Sequence, residues 1–201
     1  MRLFKGVVIG VVALGLAGGA VAQGVPLSDD GYSFLQAVKE RDGDKVMKLL
    51  QSASNLTNYS SDDGQTPLNV SIARRDDTYI AFLLSKGADP NFQARGTGDA
   101  ALISAARIGY ADAVDMLLQR GARVDLANRA GETALIVAVQ NHQTAIVKRL
   151  LEAGANPDKS DHSQGFSARD YAKRDGARSA DLVKLFDTVG AKKPAAGPVL
   201  R

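Results

Sequence analysis

Apolar residues recur along this chain in short stripes that have the spacing of a helix. Apolar side chains lie at i, i+3 and i+4 in residues 80–84, and the same spacing returns in residues 114–118. This spacing predicts amphipathic helices that each bury one face. A glycine follows each stripe, at Gly87 and Gly121, and predicts that the helix ends in a left-handed residue.

A second, shorter helix is predicted before each of these stripes. Thr66 can accept a hydrogen bond from a free backbone N–H group, and Pro67 suits the first position of a helix. This helix is expected to stop about eight residues later, near Arg75 and Asp76. The polar segment 89–98 then returns the chain to the next start. One structural unit therefore consists of two helices and a connecting loop.

The unit repeats with a period of 33 or 34 residues. The landmarks that share this period are a glycine before each first helix and a small residue inside it. The glycines are Gly64, Gly98, Gly131 and Gly165, and the small residues are Ala37, Ser71, Ala105, Ala138 and Ala172. A fixed period of this length is typical of solenoid proteins, in which each unit buries the apolar face of its neighbour.

The repeated sequence resembles the ankyrin repeat, whose signature is G-x-T-P-L-H at the first helix and L-L-x-x-G-A-D-x-N at the end of the second. Residues 64–69 and 83–91 carry the clearest match. The resemblance implies an all-α repeat solenoid, an ankyrin array of about five helix-turn-helix units joined by β-hairpin-like loops. The predicted repeat domain covers residues 31–190, with units at about 31–60, 64–97, 98–130, 131–164 and 165–190.

Departures from this signature change the expected links and caps. The signature histidine is replaced in each unit, so the usual side-chain link between neighbouring repeats is expected to be missing or altered. The residues at that position are Asn69, Ile103, Ile136 and Asp170. Ala100 and Ala101 stand where Thr-Pro is expected, so this helix start lacks a cap. Arg169 replaces a core leucine in the last unit, and polar terminal units are typical of repeat arrays.

Residues 1–22 resemble a secretory signal peptide. The segment opens with two basic residues, continues as an uninterrupted run of small and apolar residues from Val7, and ends in Ala-Val-Ala. The run is shorter than the roughly 20 residues that a spanning helix needs. We expect cleavage before Gln23 and export to the bacterial periplasm; the alternative is an uncleaved anchor, which would make the chain a membrane-anchored structural scaffold. Residues 191–201 are expected to form a disordered tail.

Composition offers little support for catalysis or a cofactor. The chain has no Cys, and its two histidines, His142 and His162, have no third metal ligand at matching spacing. Acidic pairs such as Asp62–Asp63 and Asp76–Asp77 flank predicted helix starts and are expected to cap them. No nucleophile elbow or phosphate-binding glycine loop occurs. We therefore expect no cofactor, no metal and no enzyme activity, with an enzyme as a remote alternative.

Charge gives no support for nucleic acid as the partner. The formal net charge is +3, and without Arg2 and Lys5 the chain has 23 basic against 22 acidic residues, or +1. The resemblance implies instead a monomer that binds a protein of unknown identity. Roles that the resemblance suggests for an exported protein of this kind are an accessory factor for a stress-defence enzyme and an immunity protein.

The resemblance also implies that loop tips and first helices face the concave side of the array and bind the partner. Aromatic and arginine side chains are the types most often found at interface hot spots. Arg95, Arg107 and Arg129 repeat along this side and could select an acidic partner, with an ordinary solvated face as the alternative for each. Phe92 and Phe166 could equally pack within the array. The candidate positions are Phe92, Arg95, Arg107, Tyr110, Leu126, Arg129, Gln140, Lys159, His162 and Phe166.

Overall fold

The computed structural model describes residues 28–190, which contain ten α-helices in five consecutive pairs. The pairs are α1 (Ser28–Glu40) and α2 (Gly43–Ser52), α3 (Pro67–Ala73) and α4 (Asp77–Ser85), α5 (Ala101–Ile108) and α6 (Ala111–Gln119), α7 (Ala134–Gln140) and α8 (Thr144–Glu152), and α9 (Ala168–Arg174) and α10 (Ala180–Gly190). Short 3-10 helices lie at Ser54–Asn58 and Gly176–Ser179. The predicted signal peptide (1–22) and disordered tail (191–201) lie outside the described residues.

The predicted fold class is confirmed, because the helix pairs stack in series as an all-α repeat solenoid. Each first helix contacts the first helices before and after it, from α1 through α3, α5 and α7 to α9. The loops between pairs turn back on themselves like hairpins. Within residues 28–190 they form no strand, and a single isolated bridge joins Ser160 to Ser167.

The row of first helices packs more closely than the row of second helices. Small buried residues in the first helices permit the close approach, whereas the second helices present larger side chains that hold their neighbours further apart. The small residues are Ala37, Ser71, Ala105, Ala138 and Ala172, and the larger ones include Leu83, Leu117 and Leu150. The stack therefore bends toward the first helices, whose exposed side forms the concave surface.

One hydrophobic core runs through all five pairs. Phe34 in α1 and Phe186 in α10 are fully buried and close this core near its two ends. Complete burial of such a side chain contributes roughly 1.5–3 kcal/mol. The largest buried side chains thus lie in the terminal units, where only one neighbouring repeat helps to cover the core.

Backbone N–H groups at the start of the first helices are capped where the sequence supplies a hydroxyl. Thr66 and Thr133 each accept a hydrogen bond from the N–H three residues ahead, at 3.1 and 3.3 Å. Ser167 forms a capping box with Asp170. Ala100 provides no side-chain cap at the start of α5. The predicted cap at Thr66 and the predicted loss of a cap at Ala100 are both confirmed.

The acidic pairs differ in what they do. Asp76 accepts a hydrogen bond from Tyr79 N at 3.1 Å and caps α4, as predicted. Asp62 and Asp63 lie in the loop before α3, where Asp63 accepts a hydrogen bond from the Gln65 amide at 2.7 Å. The capping role predicted for this second pair is wrong, because the loop turns once more before the helix begins.

The first helices end in a left-handed residue that is not always glycine. At equivalent positions φ is +70° at Gly109, +54° at Arg75 and +55° at His142. A residue with a Cβ atom loses roughly 1–2 kcal/mol in this conformation. Both side chains reach the next repeat: Arg75 Nη2 donates to Ile108 O at 2.7 Å, and His142 Nδ1 lies 3.4 Å from Asp175 Oδ2.

Further links between repeats come from amide side chains at the bases of the loops. Asn91 Nδ2 donates to Gly121 O at 3.1 Å, and Asn91 Oδ1 accepts from Arg123 N at 2.7 Å. Asn58 makes the same pair of contacts one repeat earlier, with residues that follow α4. The predicted alteration of the inter-repeat link is therefore found: these amides and the left-handed residues connect units that lack the signature histidine.

Arg169, at the position of a core leucine, fastens the last unit through ion pairs. Its side chain is only 19% exposed, with Nε 2.7 Å from Asp158 Oδ1 and Nη1 2.8 Å from Asp187 Oδ1. The guanidinium also lies 5.6 Å from the centre of the Phe186 ring. The hydrogen bond to Asp158 is the main reason why the pKa of Arg169 is raised above its usual value. The polar residue thus joins α9 to the preceding loop and to α10.

Replacing Ala100 by serine (Ala100→Ser) is expected to raise the free energy of unfolding by about 1 kcal/mol, because the new hydroxyl would cap α5. The backbone at Ala100 (φ −83°, ψ 166°) matches that at Thr133 (φ −91°, ψ 165°), so the same capping geometry is available. Urea unfolding followed by circular dichroism measures the change. Thr133→Ala is the matched control and should lower the free energy of unfolding. No gain from Ala100→Ser would show that α5 does not need this cap.

Candidate protein-binding surface

The loops between the helix pairs run side by side along one edge of the array. A backbone N–H in each of the last three loops donates to the loop before it. These bonds run from Arg95 N to Ser60 Oγ (2.9 Å), from Arg129 N to Thr97 O (3.0 Å) and from His162 N to Ala130 O (2.8 Å). Gly131 permits the last of these, because it has φ +80° and a Cβ there would lie 2.6 Å from His162 N. The loops therefore form one continuous hydrogen-bonded edge.

Three grooves lie between this edge and the first helices, on the concave side. The first groove, of about 450 Å³, lies over α3 and extends to α1 and α5. The second, of about 410 Å³, lies beside α5 between two successive loops, and the third, of about 380 Å³, lies along α7 and α9. The first two share Thr97 and Asp99 as lining residues, so they adjoin each other. These volumes are large enough to take side chains of a partner.

Half of the candidate binding residues are exposed. These are Arg95, Arg107, Arg129, Gln140 and His162. Arg95, Arg129 and His162 occupy the equivalent tip position in three successive loops, so the period that revealed the repeats also aligns these side chains. Arg107 lines the second groove and Gln140 lines the third.

Two of the exposed arginines are engaged by neighbouring loops. Arg95 Nη1 lies 3.1 Å from Asp62 Oδ1, and the two side chains are 67% and 100% exposed. An ion pair in contact with water to this degree contributes little to stability. Arg129 Nη1 donates to Gly96 O at 2.8 Å. Both side chains remain accessible, but each already has a partner within the array.

Arg107 is neutralised by two carboxylates. Its Nη2 lies 3.1 Å from Asp99 Oδ2 and 3.7 Å from Glu132 Oε2. Asp99 lies at the end of the loop before α5, and Glu132 lies at the end of the loop before α7. Arg95, Arg107 and Arg129 therefore present less free positive charge to a partner than the sequence alone suggests.

Four candidate residues are half-buried: Phe92, Leu126, Lys159 and Phe166. Phe166 packs edge to face with Tyr171 at a centroid distance of 5.6 Å, and the Arg174 guanidinium lies 5.3 Å from its ring centre. Phe92 and Leu68 line the same very small cavity, of about 10 Å³. These aromatic rings therefore contribute to packing as well as to the surface.

Polar contacts also restrain the remaining candidates. Lys159 Nζ donates to Asp125 O at 2.7 Å, which ties its loop to the preceding one. Gln140 and Tyr171 both line the third groove. Leu126 N donates to Arg123 O at 3.1 Å within a turn. Of these three residues, Lys159 is the one whose side chain is held by a hydrogen bond.

Tyr110 is buried, and the expectation that it is an exposed contact is wrong. The residue is only 5% exposed, and its hydroxyl donates to the Asp77 carboxylate of the preceding repeat. The Arg75 guanidinium lies 5.1 Å from the ring centre. Tyr110 directly precedes α6, the second helix of its unit. Its side chain therefore faces the row of second helices and not the concave surface. Burial, aided by the bond to Asp77, raises the pKa of Tyr110 to about 12.

Residues that sequence reasoning missed line the first groove. Lys39, Asn69, Arg74 and Ser104 lie there together with loop residues. They occupy different positions within their repeats, so no periodic pattern in the sequence marks them as a set. Only the folding of α1, α3 and α5 side by side brings them together.

Asp161 organises the last loop and was also missed. It is 4% exposed, and its carboxylate accepts hydrogen bonds at 2.5–3.1 Å. The donors are the Tyr171 hydroxyl and the N–H groups of Ser163, Gln164 and Gly165. Burial alone would raise the pKa of Asp161, but these hydrogen bonds outweigh it and lower the pKa below its ordinary value.

The concave surface thus combines cations, amides and partly exposed aromatic rings.

In residues 28–190 no group of three or more His, Asp or Glu side chains is placed to hold a metal ion. The same part of the chain has no helix with the length and apolar character needed to cross a membrane.

Comparison with known proteins shows the family. Residues 34–128 and 80–161 match the family model described as Ankyrin repeats (3 copies). An ANK repeat-containing protein of Caenorhabditis elegans, nipk-1, is 34% identical over 129 residues, which cover 57% of this chain and 21% of the relative. An ankyrin repeat-containing protein of Treponema pallidum is 32% identical over 110 residues, covering 55% and 37%. The human mitochondrial disaggregase is 41% identical over 83 residues, covering 41% and 12%.

The chain belongs to the ankyrin-repeat family. Ankyrin repeats imply a protein–protein interaction module, and proteins built from them are generally non-enzymatic. The chain spans about a third or less of the relatives named above, several of which are eukaryotic. The likeness therefore concerns the repeats and not the activities of those whole proteins.

Tyr110→Phe is expected to lower the free energy of unfolding by about 1 kcal/mol, because the hydrogen bond to Asp77 is lost. The folded-state pKa of Tyr110 is raised from 10.0 to about 12, so this contribution is complete below pH 10 and declines as the pH rises toward 12. Urea unfolding at neutral pH and across that alkaline range measures the effect. Tyr32→Phe, at a side chain that is 55% exposed, is the matched control and should change nothing.

Asp161→Asn is expected to lower the free energy of unfolding at neutral pH by roughly 1.5–3 kcal/mol. The reason is that a neutral amide replaces the charged carboxylate, which accepts stronger hydrogen bonds. The folded-state pKa of Asp161 lies below 3.8, so its contribution is present above that pH and is lost as the pH falls further. The difference between parent and variant should therefore shrink in acid. A difference that does not depend on pH would contradict this account. Asp62→Asn, at a fully exposed side chain, is the control.

Proposed function

We propose that this chain is a non-enzymatic protein-binding module of the bacterial periplasm, which binds one specific protein as a monomer. The observation that carries the proposal is the row of three concave grooves, of about 450, 410 and 380 Å³. They lie between a hydrogen-bonded loop edge and tightly packed first helices. A surface that is already ordered loses little conformational entropy when a partner binds.

Side chains along the grooves are of the types that anchor partners. Arg129 and Gln140 are exposed, and Phe166 and Tyr171 present partly exposed rings near Arg174. Arginine and aromatic residues are enriched among interface hot spots, and amides add directional hydrogen bonds. The combination favours recognition of a protein surface.

Export is proposed from residues 1–22. The basic start, the apolar run from Val7 and the Ala-Val-Ala end support secretion, with Gln23 as the first residue of the mature protein. Within the periplasm, the roles that we propose are an accessory factor for a stress-defence enzyme or an immunity protein. Both roles need selective binding of one protein and no catalysis.

The double change Arg129→Ala and Gln140→Ala is expected to weaken partner binding about tenfold or more, because truncation of hot-spot side chains typically costs over 1 kcal/mol. The measurement is affinity purification from periplasmic extract with the tagged chain, followed by titration of the recovered partner. N-terminal sequencing of the same tagged chain tests whether it begins at Gln23.

The matched control removes two exposed lysines from second helices, Lys45→Ala in α2 and Lys148→Ala in α8. This variant should bind as tightly as the parent, because both side chains lie away from the grooves. Equal weakening by the two double variants would contradict a concave interface. A tagged chain that remains in the cytoplasm with Met1 intact would contradict export.

A further inference from the structure

The first groove contains polar groups that the array leaves unused. The Lys39 ammonium forms no hydrogen bond or ion pair within residues 28–190. The Asn69 carboxamide and the Ser104 hydroxyl likewise have no hydrogen-bond partner in this part of the chain. A cation, an amide and a hydroxyl, on three adjacent first helices, therefore line one groove without an intramolecular hydrogen bond.

Arg74 adds a second cation with a fixed position. Its Nη1 donates to Val38 O at 3.2 Å and to Lys39 O at 2.5 Å, at the end of α1. These bonds use only one nitrogen of the guanidinium. The remaining N–H groups have no partner in residues 28–190. Arg74 is thus held in place and can still bind an anion.

The acids around this groove are already satisfied. Asp99 Oδ2 lies 3.1 Å from Arg107, and Asp99 Oδ1 accepts a hydrogen bond from Asn128 at 2.8 Å. The Asp63 carboxylate is bound by the Ser61 hydroxyl and the Gln65 amide and forms no ion pair with Lys39. Besides the Ser61 hydrogen bond, Lys39 lies near enough to Asp63 to help lower its pKa, so the charges of Lys39 and Asp63 offset each other. The excess positive charge in the groove is that of Arg74.

The opposite side of the array has the opposite charge balance. The second helices together carry five basic and seven acidic residues, or −2. An acidic ligand is therefore attracted to the first groove and disfavoured on the other side. The wall of the groove also includes the apolar side chains of Val70 and Ala73, which bare phosphate or nucleic acid would not use.

We propose that the first groove binds an acidic segment of the partner protein in which carboxylates alternate with apolar side chains. A carboxylate lies near Lys39 and Arg74, Asn69 and Ser104 supply hydrogen bonds, and an apolar side chain packs on the wall. This proposal rests on the proposed function and adds the chemistry of the partner. It moves the acidic-partner site away from Arg95, Arg107 and Arg129, which already have partners within the array.

Photo-crosslinking in the producing cell tests this placement. The photoreactive residue p-benzoylphenylalanine is introduced in place of Ala73, an exposed residue of the first groove, or in place of Ala81, an exposed residue of α4 in the same repeat. We expect Ala73 to give a protein crosslink whose attached peptide is rich in Asp and Glu, and Ala81 to give none.

The outcomes separate the two proposals. A crosslink from position 73 to a neutral or basic segment would overturn the inference and leave the proposed function intact. A crosslink to nucleic acid, or no crosslink at position 73, would also overturn the inference. Protein crosslinks from position 81 alone would contradict both the inference and the concave interface.

Charge reversal provides a second test in solution at low ionic strength. The probe is a blocked, fluorescent peptide of alternating glutamate and leucine, and its control has glutamine in place of glutamate. Lys39→Glu with Arg74→Glu should weaken binding of the glutamate peptide at least about tenfold, because like charges at an interface oppose association. Lys45→Glu with Lys48→Glu in α2 is the matched control and should leave binding unchanged.

Lys39→Glu alone keeps this test valid if the double variant fails to fold, because the Lys39 side chain has no hydrogen bond or ion pair to lose. It should still weaken binding of the glutamate peptide several-fold. Equal binding of the glutamate and glutamine peptides, absence of binding to the parent chain, or equal weakening by the α2 control would each overturn the proposal.

Discussion

Packing of small side chains between neighbouring first helices is the contact on which the rest of the structure depends. A single pair of helices cannot bury its apolar face, so each unit is stable only against its neighbours. Ala105 and Ala138 let the first helices approach closely, while leucines such as Leu117 separate the second helices. The resulting bend produces a concave side, and the loops that close each unit become its rim.

Contacts across the repeat boundaries then make this surface rigid. Arg75 and His142 adopt a left-handed conformation that is unfavourable for residues with a Cβ atom, and each uses it to reach the following repeat. Asn91 bridges two loop bases with both ends of its amide. The local cost is offset by contacts that exist only when the array is stacked. A partner therefore meets a surface whose shape is already set.

The repeating and the non-repeating residues have different roles. Residues that recur with the period build the helices, caps and loops, and their charges, as at Arg95 and Arg129, are largely satisfied within the array. The side chains left without a hydrogen bond, Lys39 and Ser104 among them, stand at different positions within their own repeats. A periodic scaffold thus acquires a specific site where its repeats differ from one another.

The sequence by itself determined the fold class, the pairing of helices, the cap at Thr66 and its absence at Ala100. These features depend on local hydrogen bonds and on the period of 33 or 34 residues, which is visible throughout the repeat region of the sequence. The tertiary structure alone decided that Tyr110 is buried, that Arg107 is neutralised, and that Lys39 and Arg74 share a groove. The partner of Tyr110 lies in the adjacent repeat, 33 residues away in the chain, and Lys39 and Arg74 also come from adjacent repeats. The repeat signature specifies that neighbouring units touch, but not which variable side chains meet across the boundary.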